Sequence, residues 1–552
     1  MKMNVLARTR CLLFLACALL ATRSGATDYT NRAAGNWDAP ATWTNGVGAI
    51  GCPSNSADTA AIVAGTVTGN ISIPTIAGIA VTGATAVLDI TSEPQAGTNS
   101  VVIGSDAQLK VKRYSSGNQQ SIPNWRITLA GTAGHPATVY LYDQHTYCSA
   151  AVTLPSNAVG VLNANTASGS YTYKDSAYYG LLSAPSNAVL TIRQDSYWGD
   201  GMTIGNNNTN LDSSLLVGPG VFILGHANAL GDEQGPEGVG PCTVSNASVT
   251  IAVTTVNPPF ASSLCPRNLL LKTNITLTSI GNVANEPGYT GILTLGGPTT
   301  FSAPSSYQYN NPVTRFFGLI RDDPANPRAT LYCAPGGGTW ASGVLVTNAG
   351  NLFTGDIICR GGESKFTAAG ALGQNPPAAR KKLVVESGSL KLDATGTPDW
   401  TLNMDLGGSA TVNVEDGART LILSGSTVTP GTNDLPGTLT VNSHLAFARE
   451  AGLTNCTLSM VVNTVPTNGT LKVAGNVSAL SNAVLSITAG ASMQFADVKN
   501  RIFTVLQCNN NVSTQRFAAV TLNKAWPYTV RYQTNGVQVS FVPMPGTAVF
   551  LR

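Results

Sequence analysis

The chain has 552 residues, and its 31 Lys plus Arg against 28 Asp plus Glu leave a formal charge of +3. That field is too weak to recruit nucleic acid or an anionic membrane. Charged residues are only 11% of the chain, with 57 Gly and 30 Pro, which excludes a fold dominated by helices laced with Glu and Lys and leaves an all-β reading.

In chain order, residues 1–26 read as a signal peptide. Lys2, Arg8 and Arg10 form a basic start, Cys11 to Ala21 an apolar core, and Ser24-Gly25-Ala26 a small-residue cleavage site, so the mature chain is expected to begin near Thr27. Leu15-Ala16-Cys17 is a weaker, lipobox-like alternative. No later apolar run approaches the roughly 20 residues that cross a bilayer, so export without an integral membrane domain is expected. Residues 27–68 are rich in turn formers and hold Trp37 and Trp43. These rings either cover the open first coil of a repeat domain or form a sugar-stacking platform.

Residues 69–500 carry short alternating runs. Ser186-Asn187-Ala188-Val189-Leu190-Thr191-Ile192 returns as Ser481-Asn482-Ala483-Val484-Leu485-Ser486-Ile487. In each, a Ser-Asn turn leads into a strand whose aliphatics share one face and whose hydroxyls share the other. The same alternation links Leu390 with Leu392, Val412 with Val414, Leu421 with Leu423, Leu439 with Val441, and Leu471 with Val473. Irregular spacing between runs argues against propeller blades and for coils holding two or three strands, a right-handed parallel β-helix with terminal caps. The stretches 171–200 and 307–328, with Tyr171, Tyr173, Tyr178, Tyr179, Tyr197, Tyr309, Phe316 and Phe317, interrupt the pattern and are expected to project as loops.

Gly336 to Gly373 places strand-like runs at Val344 to Val346, at Ile357 and at Lys365 to Phe366 between glycine turns, as one coil of a solenoid would. Its parts Gly338-Thr339-Trp340, Asn351-Leu352-Phe353-Thr354-Gly355 and Gly370-Ala371-Leu372-Gly373 resemble the autotransporter-associated β-strand repeat, and Gly220 to Gly231 is a partial second copy. The resemblance implies a secreted, passenger-like β-helix. It covers a small part of the chain and names an architecture, not a reaction.

Residues 501–552 are expected to close the domain, with Asn535-Gly536 turning a hairpin between Tyr528 to Tyr532 and Val537 to Phe541. Val537, Val539 and Phe541 should share a buried face opposite Gln538 and Ser540. About fifty residues are too few for the smallest outer-membrane barrel of roughly eight strands. Beyond the leader, Cys52, Cys148, Cys242, Cys265, Cys333, Cys359, Cys456 and Cys508 remain. Cys333 with Cys359, or Cys242 with Cys265, either clip neighbouring coils or stack as buried thiols.

Candidate acid-base or calcium groups are Asp195 and Asp200, then Asp232, Glu233 and Glu237, then Arg321, Asp322 and Asp323. None has the spacing that a particular reaction demands, and turn chemistry explains each. His135, His145, His226 and His444 are scattered. Arg380-Lys381-Lys382 reads as a solvated edge that discourages sheet addition, which explains the run at least as well as anion binding. No residue is assigned a catalytic, cofactor-binding or metal-binding role. The expected function is that of a non-catalytic structural or adhesion-type protein, outside the cell or on its surface, with surface glycans or other extracellular polymers as partners; a carbohydrate-active β-helix enzyme or a glycan-binding rod is the alternative.

Overall fold

The computed structural model describes residues 27–542 apart from 46–47, 49–50, 92–96, 113–121, 123, 143–145, 166–175, 197–200, 233–241, 246–248, 255–263, 281–286, 304–312, 337–342, 377–378, 394–398, 415–418, 433–434, 450–454 and 465–466. The leader, Asp200, Glu233, Glu237, Tyr171, Tyr173, Tyr197, Tyr309, His145 and the repeat's Gly338-Thr339-Trp340 therefore lie outside the described residues, as does the Asp195 side chain. The chain divides into two compact units, 1–249 and 250–552.

In the first unit, Thr59–Ile62, Gly78–Val81, Ser100–Ile103, Arg126–Leu129 and Ala151–Thr153 stack in parallel. The strands that alternate with them in sequence, Thr66–Gly69, Val87–Ile90, Gln108–Lys112, Ala137–Tyr142, Val159–Asn165 and Val189–Ser196, stack in parallel in a second sheet. Parallel neighbours cannot be joined by a tight hairpin, and here the rest of each coil supplies the crossover. The result is a β-solenoid. Its core is made by alternate residues: Leu88, Ile90, Leu109, Val111, Val139, Leu141, Leu190 and Ile192 are each at most 1% exposed.

The second unit repeats the device. Glu363–Phe366, Ser389–Leu392, Thr411–Val414, Thr438–Asn442 and Thr470–Val473 are successive parallel strands of one sheet. Leu390, Val412, Val441 and Val473 form an aliphatic ladder through it. Ile357–Cys359, Lys382–Val385 and Asp405–Gly408 belong to a facing stack that continues to Ala483–Ala489. Leu485 and Ile487 are buried and Ser486 is half-buried, so the inward face read from the alternation is the observed one. Helix is confined, among the described residues, to the turn Phe495–Val498 and to 3-10 turns such as Ala369–Leu372. No helix among them is long and apolar enough to cross a membrane.

The repeat-like stretch owes its sequence to three contacts between coils. Asn351, 3% exposed, accepts from the Ile320 N–H at 2.8 Å and donates to the Ala371 carbonyl at 3.0 Å. Asn208, in the first unit, makes the same bracket, from the Leu182 N–H and to the Ala229 carbonyl, both at 2.8 Å. Ala371 and Ala229 are the alanines of the two Ala-Leu-Gly closings, so each asparagine ties three coils together. Gly355 cannot carry a side chain, because a Cβ there would lie 1.9 Å from the Ala329 carbonyl oxygen. Gly373 closes the 3-10 turn with φ +77°.

Several expectations are corrected. Of the two readings of Trp37 and Trp43, the sugar platform does not fit, because they are 1% and 0% exposed and meet edge to face at 5.0 Å. Trp43–Asn45 pairs antiparallel with Asp28–Asn31, which shields that strand's edge. The interrupted stretches do not simply project. Ser176–Tyr178 and Val313–Phe316 are coil strands, with Tyr178 fully buried and Phe316 stacked 3.6 Å from Phe301; both aromatics serve the core. The closing hairpin forms as expected, but Gly536–Phe541 is its central strand, flanked by Ile502–Gln507 and Tyr528–Gln533. Ser540 is consequently buried as well. The described cysteines are thiols. Cys333 stands in register with Cys359, whereas Cys242 faces Leu215 and Cys265 faces Tyr289. Cys333 and Cys359 thus stand as buried thiols in register on neighbouring strands.

Candidate functional site

The second sheet of the first unit carries a polar and aromatic ladder on its outer face. Register places Asp89, Lys110, Tyr140, Asn163 and Arg193 in one column over five successive strands. Lys112 and Tyr142 stand in the neighbouring column. The alternation that sends Leu109, Val111, Val139 and Leu141 into the core forces Lys110, Lys112, Tyr140 and Tyr142 outward. The Tyr140 and Tyr142 rings lie nearly parallel, 11° apart with centroids at 6.1 Å. The Tyr142 hydroxyl donates to Asp89 Oδ1 at 2.6 Å, and Lys112 Nζ lies 5.8 Å from the Tyr142 ring centroid. Between these groups, Gln108, Lys110, Thr138, Tyr140, Asn163 and Arg193 line an open cavity of about 260 Å³. Among the described residues of these two columns, Lys110, Lys112 and Arg193 are the cations and Asp89 is the carboxylate.

A larger cleft, about 670 Å³, lies in the second unit beside the Ala369–Leu372 turn, lined among others by Gln374, Asn375, Thr401, Asn403 and Met404. It bears no charged side chain, and its amides brace its own walls. Asn375 donates to the Asn403 carbonyl at 2.6 Å and accepts from the Lys381 N–H at 2.7 Å.

Lys381 corrects the reading of the basic run, because it is fully buried while Lys382 is exposed. Its ammonium donates to the carbonyls of Phe353 and Leu372 and sits 3.4 Å from the Phe353 ring centroid. Burial lowers its pKa to about 7, against the pull of Asp322 and Asp356. Without solvent access, this amine is a strut and no nucleophile.

The described acidic candidates, Asp232, Asp322 and Asp323, do not form one site. Asp322 accepts from both the N–H and the hydroxyl of Thr354, at 2.9 and 2.6 Å, which braces adjoining coils. Asp323 is paired with Lys272 at 2.8 Å, and that hydrogen bond holds its carboxyl below the usual range. Arg321 is exposed and donates to the Thr294 hydroxyl. Asp232 is half-buried in the first unit. His135 contacts Asp106 at 2.7 Å, and His226 and His444 accept backbone N–H groups. Among the described residues no three His, Cys, Asp or Glu side chains gather as a metal site. The Lys110 to Arg193 face was missed in the sequence although Lys110-Val111-Lys112 and Tyr140-Leu141-Tyr142 each mark one strand face; only the register between coils unites them.

These coils define a β-solenoid whose alternation sends one set of side chains into the core and the other to the outer face of its sheets. No protein-family model matches the chain and no solved structure matches it. The chain is similar to the Adhesin BmaC autotransporter of Brucella suis biovar 1 (strain 1330), 25% identical over 359 residues, or 62% of this chain. The chain matches about 9% of that protein's length. Together with the parallel coil stack, this likeness fits an autotransporter-type β-helix passenger.

Proposed function

We propose that the chain is the ligand-presenting β-solenoid of a surface-displayed, adhesin-type protein without catalytic activity. Residues 1–26 direct its export, 27–68 cap the first coil, 69–500 form the coils and 501–552 close them. Surface glycans or other extracellular polymers are the ligands. The observation that carries this reading is the parallel coil stack, whose alignment is to part of an autotransporter adhesin. A solenoid presents a long, rigid outer surface without requiring a single large core. The supporting chemistry is that Asp322 and Asp323 are engaged in braces and pairs rather than poised for proton transfer.

The test is expression in a bacterium that lacks the chain, followed by surface labelling and adherence to immobilised extracellular material. Surface exposure with gained adherence is expected. Retention in the cytoplasm, or release of reducing or unsaturated sugars from a polysaccharide panel, would overturn the proposal.

A further inference from the structure

The outer ladder of the first unit has the chemistry of a binding site for one class of polymer. Lys110 and Arg193 line the same cavity, yet their strands are three coil steps apart, about 14 Å along the stack. Between them stand the half-buried Tyr140 and Asn163, the latter 2% exposed, flanked by Gln108 and Thr138. A tyrosine offers an apolar ring with a polar tip, and amides and hydroxyls can both donate and accept. Guanidinium and ammonium groups pair strongly with carboxylate or sulfate oxygens. From Lys110 to Arg193 the column therefore sets a ring and an amide between two cations, which suits a chain of acidic, hydroxyl-bearing rings, while Asp89 at its end is engaged by the Tyr142 hydroxyl.

We propose that this face, centred on Lys110, Tyr140 and Arg193 with Tyr142 and Lys112 at its flank, binds an anionic polysaccharide laid along the stack of coils. The assignment rests on the adhesin reading and names the ligand class and the site. Charge complementarity selects this occupant. A phosphopeptide asks for basic groups converging on one point, whereas these cations are spread along the stack. Nucleic acid binding draws on many phosphate contacts, and a chain of net charge +3 with three cations here does not supply them. Tyr142 is held by its hydrogen bond to Asp89, so that ring is pre-positioned, which reduces the ordering cost of binding.

The test uses the purified mature chain with soluble polygalacturonate, dextran sulfate and neutral dextran at 0.15 M salt. Saturable binding to a polyanion and none to dextran is expected, with the stronger polyanion deciding between uronate and sulfated ligands. The double substitution Lys110→Gln with Arg193→Gln should weaken binding at least tenfold, and Tyr140→Ala should weaken it at unchanged salt dependence. Lys382→Gln, in the second unit, should leave it unaltered. Unfolding midpoints close to that of the parent chain verify that the variants fold. Equal binding to dextran, equal loss with Lys382→Gln, or a double variant that binds like the parent would overturn the proposal. A chain that adheres to immobilised extracellular material but ignores both polyanions sinks this site and leaves the adhesin reading intact; a chain that does neither sinks both.

Discussion

Replacing Asn351 by Leu should loosen three coils at once. The leucine has the same branching with somewhat more volume, so no cavity is left, but the Ile320 N–H and the Ala371 carbonyl both lose their partner. Each buried group left unsatisfied costs about 1–3 kcal/mol, so the pair should cost about 2–6 kcal/mol. Because solenoid stability is a sum of coil and neighbour terms, the loss should be local. Amide hydrogen exchange in the strands Ile320–Asp322 and Ile357–Cys359 should accelerate by roughly 30-fold or more. Asn351→Asp gives a sharper signature. The carboxylate still accepts from Ile320 but repels the Ala371 carbonyl oxygen, and burial raises its pKa. A raised folded-state pKa means that stability is present at low pH and is lost as pH rises through that value. The Asp variant should therefore approach the parent near pH 4 and fall below it near pH 8, after correction for intrinsic exchange. Leu352→Asn, at a site 45% exposed, serves as the control and should change stability by less than about 0.5 kcal/mol. If Asn351→Leu were as mild as this control, the asparagine bracket would not be what holds the repeat together.

Lys381 should write its own pH dependence. Its folded pKa of about 7 lies below the ordinary lysine value, so the unfolded chain binds more protons above pH 7 and stability rises with pH. Between pH 7 and 8.5 the parent should gain about 1.6 kcal/mol relative to Lys381→Met, read by urea unfolding of both chains. A constant difference would show that the amine stays charged. Higher pH is avoided because the Cys148 thiol, pushed up to about 12 by burial, then contributes with the opposite sign. Leu485→Asp and Ile487→Asp should each lower the thermal midpoint sharply, by forcing an unpaired carboxylate into the stacked interior, while Ser486→Asp should be mild; equal effects at the three sites would refute the inward face.

What the sequence revealed was whatever depends on a period of two. Leu390 with Leu392 and Val412 with Val414 declare their buried face locally, since a strand sends every second side chain the same way. Glycine and asparagine marked the turns, yet the role of Asn351 required Ile320 and Ala371, which belong to neighbouring coils. The same limit hid Lys381 inside an apparently solvated basic run, and hid Phe316 and Tyr178 in the core of stretches that looked like loops. The Lys110 to Arg193 face is the extreme case, because five strands contribute to it and no local pattern records how coils of unequal length come into register.

That register is the central claim, and a molecular ruler tests it most directly. Glu363, Ser389, Thr411, Thr440 and Lys472 are successive occupants of one column in the second unit. Spin labels can be attached in pairs at Cys substituted for Glu363 and for each of the others, in a Cys52→Ser background, since the other described cysteines are buried. Label separations should grow in equal steps of about 4.8 Å per coil, to about 19 Å at Lys472. Distances that scatter instead, or that grow with the number of intervening residues, would contradict the stacked-coil account.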